Sequence, residues 1–108
     1  QAILVDKTLY ASGQLGIDPQ TGDFVAGGVK EQTEQVFRNI RAILTEAGFE
    51  MSDVVKTTCF LADMGDFAEM NAVYAEQFEG SFPARSAVAV RTLPKNGLIE
   101  IEVLAIKA

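Results

Sequence analysis

"FPARSAVAVRTLPKNGLIEIEV", residues 82–103, is the stretch whose reading decides the fold. Taken as two strands joined through Pro94-Lys95-Asn96-Gly97, it forms an antiparallel hairpin, because Asn-Gly is a strong turn dipeptide. On the first strand Val88 and Val90 then face one way, and Arg85, Ala87, Ala89 and Arg91 the other. On the second, Ile99, Ile101 and Val103 share a face opposite Glu100 and Glu102. One side of the hairpin is apolar, while the other mixes charge with alanine. Small side chains among charges imply close packing by a second subunit or a ligand. The plain alternative is a wet antiparallel face with charges scattered over it. With simple pairing around Lys95-Asn96, Glu100 lies opposite about Ala89, and Arg85 is about four positions further on, or ~13 Å at ~3.3 Å per residue. That exceeds ion-pair reach and leaves room for a ligand, or for a neighbouring chain.

Upstream, "ILVDKTLYASGQLGID" is two apolar runs broken at Asp6-Lys7, which predicts a first hairpin. "PQTGDFVAGG" is a turn-rich connection. Residues 30–47 carry Val36, Phe37, Ile40, Ile43, Leu44 and Ala47 at helical spacing, with Gly48 placed to end the helix. Residues 54–63, "VVKTTCFLAD", are rich in β-branched side chains and predict a strand. Asp66 with Glu69 forms the pattern of a capping box ahead of a second helix, whose buried stripe is Phe67, Met70, Tyr74 and Phe78. The predicted order is β-β-α-β-α-β-β. Two helices cover one face of such a sheet, and Val88, Val90, Ile99, Ile101 and Val103 supply that face.

A chain of 108 residues, 48% hydrophobic and 22% charged, is expected to be one globular domain over residues 1–108. No apolar run reaches membrane-spanning length and no signal peptide is visible, so a membrane is not an expected partner. Fifteen acidic against nine basic residues leave a net charge of −6, which repels nucleic acid. The single Cys59 excludes an internal disulfide, fits a reducing cytoplasm, and is expected to be buried as a small hydrophobe. Histidine is absent. That removes Ser-His-Asp and Cys-His catalysis and, with one cysteine, an ordinary zinc site. Any chemistry falls to carboxylate, guanidinium, amine, hydroxyl, water and backbone.

Three segments in order, "SGQLGIDPQTGD", "VVKTTCFLADMGDFAEMN" and "FPARSAVAVRTLPKNGLIEIE", give the chain its resemblance to the Rid (reactive intermediate deaminase, YjgF) family over its whole length. The resemblance implies an α+β, chorismate-mutase-like fold, a homotrimer with clefts between subunits, and no metal or cofactor. It implies hydrolysis of enamines and imines such as 2-aminoacrylate to 2-keto acids and ammonia, with a small imine or enamine carboxylate as the substrate. The alternative is a trimer that binds small carboxylates or keto acids in a regulatory role without turnover.

By the same resemblance, Arg85 matches the arginine that binds the substrate carboxylate, a task suited to a planar, permanently charged guanidinium. Glu100 matches the acidic residue that positions or activates water. Ser12 and Gly13 match cleft-lining positions, and Asn71 a recurrent polar position on the second helix. For each there is a plainer reading: an ion pair for Arg85, a solvated strand residue for Glu100, a polar strand position for Ser12, a bulge or close backbone approach for Gly13, and a loop-fixing amide for Asn71. Many family members carry cysteine where this chain has Ala87. A thiol nucleophile is therefore not available there, though the Ala87 backbone carbonyl can hold the substrate nitrogen. Family chains also carry Gly-Pro-Tyr-Ser just before the position of Gln1, with the tyrosine expected in the cleft wall.

Overall fold

Asp6 and Lys7 interrupt the first apolar run, and the chain turns there with Asp6 in the left-handed region at φ 53°. This pairs β1 (Ala2–Val5) antiparallel with β2 (Thr8–Leu15). The structure, a computed structural model describing residues 1–108, continues with α1 (Val29–Ala47), β3 (Val54–Leu61), α2 (Phe67–Glu76), β4 (Ala84–Ala89) and β5 (Ile99–Ile106). The predicted order of elements holds throughout.

α1 buries Val29, Thr33, Val36, Phe37, Ile40 and Leu44 along one stripe. At its start the Glu31 carboxylate accepts from the Gly28 backbone N–H at 2.9 Å, satisfying a donor that the first helical turn leaves free. At its end Gly48 adopts φ 82°, where a Cβ would be strained, and Phe49 donates back to the Leu44 carbonyl at 2.8 Å. The start of α2 differs from the expected capping box. Asp66 occupies the N-cap but its side chain makes no capping bond. Asp63 instead accepts from the Gly65 N–H at 2.8 Å and closes the short turn that precedes the helix.

The C-terminal hairpin does not form. The sheet order is β1-β2-β5-β3-β4, so β5 lies between β2 and β3, and β4 is an edge strand parallel to β3. α2 makes the crossover that two parallel strands require. Between β4 and β5 the chain traverses residues 90–98, anchored by buried Leu93 and by Val90 N–H donating to the Leu61 carbonyl at 2.8 Å. Lys95 and Asn96 do turn the chain with positive φ, which asparagine tolerates, but they end a crossing loop instead of a hairpin.

This pairing reverses the expected faces of β4. Arg85 lies in register with buried Thr57, and Ala87 with buried Cys59, so both point to the helix side. Val88 points to the open side and is 46% exposed, and Val90 lies beyond the strand. Neither belongs to the core. Ile99, Ile101, Val103 and Ala105 of β5 do, each at most 4% exposed. They pack with Leu9, Cys59, Leu61, Met70, Tyr74, Phe78 and the α1 stripe in one cluster. Burying side chains of this size contributes about 1.5–3 kcal/mol apiece. No helix is long and apolar enough to cross a membrane.

Candidate active site

Arg85 rises from the edge strand β4 toward α2, where Asn71 stands four residues after Phe67 and three before Tyr74 on one helical face. Its Nη1 donates to Asn71 Oδ1 at 2.6 Å. The guanidinium carbon lies 4.5 Å from the centre of the Tyr74 ring and 5.3 Å from that of Phe67. Beneath Tyr74, the Thr57 hydroxyl and the phenol share a buried hydrogen bond of 2.7 Å. A cavity of about 420 Å³ opens beside this group, lined by Asn71, Tyr74, Ala75, Phe82, Pro83 and Arg85. The charge of Arg85 is thus met by one amide oxygen and two ring faces, with N–H donors left over. A guanidinium with free donors can pair with an anion.

Glu100 lies elsewhere. On β5 it is in register with Phe60 of β3 and Leu15 of β2, on the face away from the helices. Its carboxylate rests over Gly13, where an added Cβ would fall 2.1 Å from Oε2. An alanine there would push the carboxylate aside. The pairing of β2 with β5 slips between Ala11 and Gln14, so Gly13 sits in a bulge, as its plainer reading expected, while the close approach to it is made by the Glu100 side chain and not by backbone. Burial first, and then the neighbouring Glu102, hold the Glu100 carboxyl above the ordinary carboxylate range. Ser12 donates its hydroxyl to the Gln1 carbonyl at 2.9 Å. With Gly13 and Gln14 it lines a second, wider groove of about 930 Å³ between β2 and α1, which neither Arg85 nor Glu100 borders.

The structure therefore gathers Arg85 and Asn71 in one place, and Glu100 and Gly13 in another. Ala87 is half-buried against the core, two residues along β4 from Arg85. Asn71 binds the arginine itself and not a loop. Helical spacing puts Phe67 and Tyr74 in the core stripe and does not disclose that their faces also carry Arg85. The signal was Asn71, a polar residue set within that apolar stripe. Cys59 is fully buried as expected, and burial pushes its thiol up to about 11.

The family model described as Endoribonuclease L-PSP matches residues 1–107. This chain belongs to the Rid family. Among its relatives, a RutC family protein of Pyrococcus horikoshii is 55% identical over 99% of this chain and 85% of its own length. The 2-iminobutanoate/2-iminopropanoate deaminase of Bos taurus is 51% identical over 99% of this chain and 78% of its own. The crystal structure of Escherichia coli TdcF with bound serine superposes with a TM-score of 0.95 at 36% identity, covering 100% of this chain and 87% of that one. The mixed sheet with β5 inserted beside β3 is thus shared with Rid-family structures.

Proposed function

We propose that this Rid-family chain hydrolyses small 2-imino acids and their enamine tautomers to 2-keto acids and ammonia. The observation that carries the reading is Arg85, a fixed guanidinium that meets only an amide and ring faces and borders a cavity large enough for such a substrate. A bidentate pair with the substrate carboxylate uses the donors that remain. Two relatives support the class of ligand: the bovine deaminase by its named activity, and TdcF by the amino acid it holds.

Turnover needs a second group, and Glu100 serves as the proton acceptor. Water adds its oxygen to the carbon of the protonated imine and gives one proton to Glu100, forming a neutral carbinolamine. Glu100 returns that proton to the nitrogen, then takes the hydroxyl proton as the carbonyl forms and the C–N bond breaks to release ammonia. The proton left on Glu100 passes to solvent or to the departing ammonia. Proton transfer of this kind supplies about 10²–10⁴-fold. Because Arg85 and Glu100 face opposite sides of the sheet, the complete site takes Arg85 from one subunit and Glu100 from the next. A homotrimer with three such clefts meets that requirement. Gly13 accompanies Glu100, with Ser12 next to it in the chain, and Asn71 and Ala87 accompany Arg85. The protein works in the cytoplasm, where its one cysteine stays reduced.

The second reading is a carboxylate-binding protein without turnover. It is favoured by the fact that the anion-binding group is complete within one chain while Glu100 lies far from it. Release of ammonia and keto acid from freshly generated 2-aminoacrylate separates the two. A deaminase accelerates release, and Arg85→Ala abolishes the acceleration. A binder does neither, yet still loses carboxylate affinity in Arg85→Ala.

A further inference from the structure

We infer that Phe67, Tyr74 and Thr57 form a positioning device for Arg85, one that turns the free edge of its guanidinium toward the ligand. The inference rests on Arg85 as the carboxylate anchor. An arginine has four rotatable side-chain bonds, and on an edge strand it would sweep through many rotamers before meeting an anion. Here two kinds of contact act together. The ring faces of Tyr74 at 4.5 Å and Phe67 at 5.3 Å attract the cation and oppose its withdrawal from them. Asn71 Oδ1, accepting from Nη1 at 2.6 Å, opposes its rotation. A guanidinium held against a ring keeps its in-plane donors available, and Asn71 takes one of the five.

The rings are themselves held. Tyr74 is 3% exposed and packs against Phe37, with centroids 5.8 Å apart, and Phe78, at 5.1 Å. Its hydroxyl would be a buried orphan without Thr57, which is fully buried and in register with Arg85 on the adjoining strand. The strand pairing that places Arg85 thus also places the group that orients the ring beneath it. Tyr74 holds Arg85 through its ring face and Thr57 holds Tyr74 through its hydroxyl, so in this device both act through the arginine as positioning residues.

The alternative is ordinary packing of a long stem against aromatic surface. Phe67→Leu and Tyr74→Leu keep apolar volume while removing a π face, and Tyr74→Phe restores the face without the hydroxyl. With 2-iminobutanoate generated in situ, the expected result is a KM raised about tenfold in each Leu variant with kcat within about twofold, and recovery of most of that loss in Tyr74→Phe. Pyruvate titrated as a non-reacting probe is expected to lose affinity by the same factor, which reads the clamp even where no turnover is found. The Arg85 side-chain resonances are expected upfield in the unmodified protein, from the ring currents, and to return to ordinary positions in Tyr74→Leu. If the folded Leu variants bind pyruvate as the parent does, or if kcat falls while KM holds, the clamp does not exist. If pyruvate binds and the clamp signature is present but imines are not hydrolysed, the deaminase reading fails and the clamp stands. Phe67 is only half-buried, so its variant preserves the test should Tyr74→Leu fail to fold.

Discussion

Arg85 and Glu100 stand on opposite faces of one sheet. Arg85 is in register with Thr57, and Glu100 with Phe60, three positions further along β3. An odd number of steps along a strand turns the side chain over. No rotamer change brings the two together within a chain.

Subunit complementation follows directly. Arg85→Ala and Glu100→Gln are each expected to be inactive as pure oligomers. Unfolded together in equal amounts and refolded, they should regain about a quarter of the parent activity, since half of the sites draw an intact Arg85 and half of those an intact Glu100. Activity assays on the refolded mixture, with its size measured by light scattering, check this. A mixture as dead as its components would mean that each site is built within one chain.

Gly13→Ala tests the seat of Glu100. The added methyl would sit 2.1 Å from Oε2 and 2.7 Å from Cδ, so the carboxylate must swing away. Displacement of a catalytic group by an ångström costs up to about 10²-fold, so kcat is expected to fall about 10–100-fold with KM little changed. The melting temperature is expected to move by only a few degrees, because the obstacle is the end of a flexible side chain.

If Glu100 is the proton acceptor, the acid limb of the pH profile is expected to report its titration. Burial, then repulsion from Glu102, raise its pKa, so the proton is held to higher pH and the ionised base is lost earlier on acidification. The limb in kcat/KM is expected above the ordinary carboxylate range. Glu102→Gln removes the like charge and should shift that limb to lower pH, leaving only the part due to burial. A limb that moves upward instead, or stays in place, would assign it to another group.

Cys59 is predicted to be inert in the native state. Buried, with its thiol pushed up to about 11, it offers almost no thiolate at pH 8. A thiol reagent at that pH should react only after denaturant unfolds the chain, at the rate of unfolding. Rapid labelling of the folded protein would place Cys59 at an accessible site.

The local physics of this chain is legible in its residue order. Periodicity marks α1 from Val36 to Leu44, Gly48 stops it, and Asp6-Lys7 breaks the first two strands apart. The Rid-family motifs, which are also local, single out Arg85, Asn71, Gly13 and Glu100. Pairing is different, because strands that are neighbours in sequence need not be neighbours in space. The run at residues 82–103 suits a hairpin, yet β5 buries more apolar surface between β2 and β3, where Ile99, Ile101, Val103 and Ala105 all meet the helices. The strand–helix–strand order of β3, α2 and β4 carried the other half of the answer, since a helical crossover favours parallel pairing.

What the sequence by itself determined is therefore the set of elements, the residues of α1 and β5 that form the core, and the identity of the chemical groups. The alternation with Ile99, Ile101 and Val103 already put Glu100 on the face away from the helices, but tertiary structure alone decided the face of Arg85. A single step in pairing partner or register inverts every side chain on a strand, and that choice is made by the summed burial of the whole sheet. It set Arg85 on Tyr74 and Phe67 on the helix side, and Glu100 over Gly13 on the other.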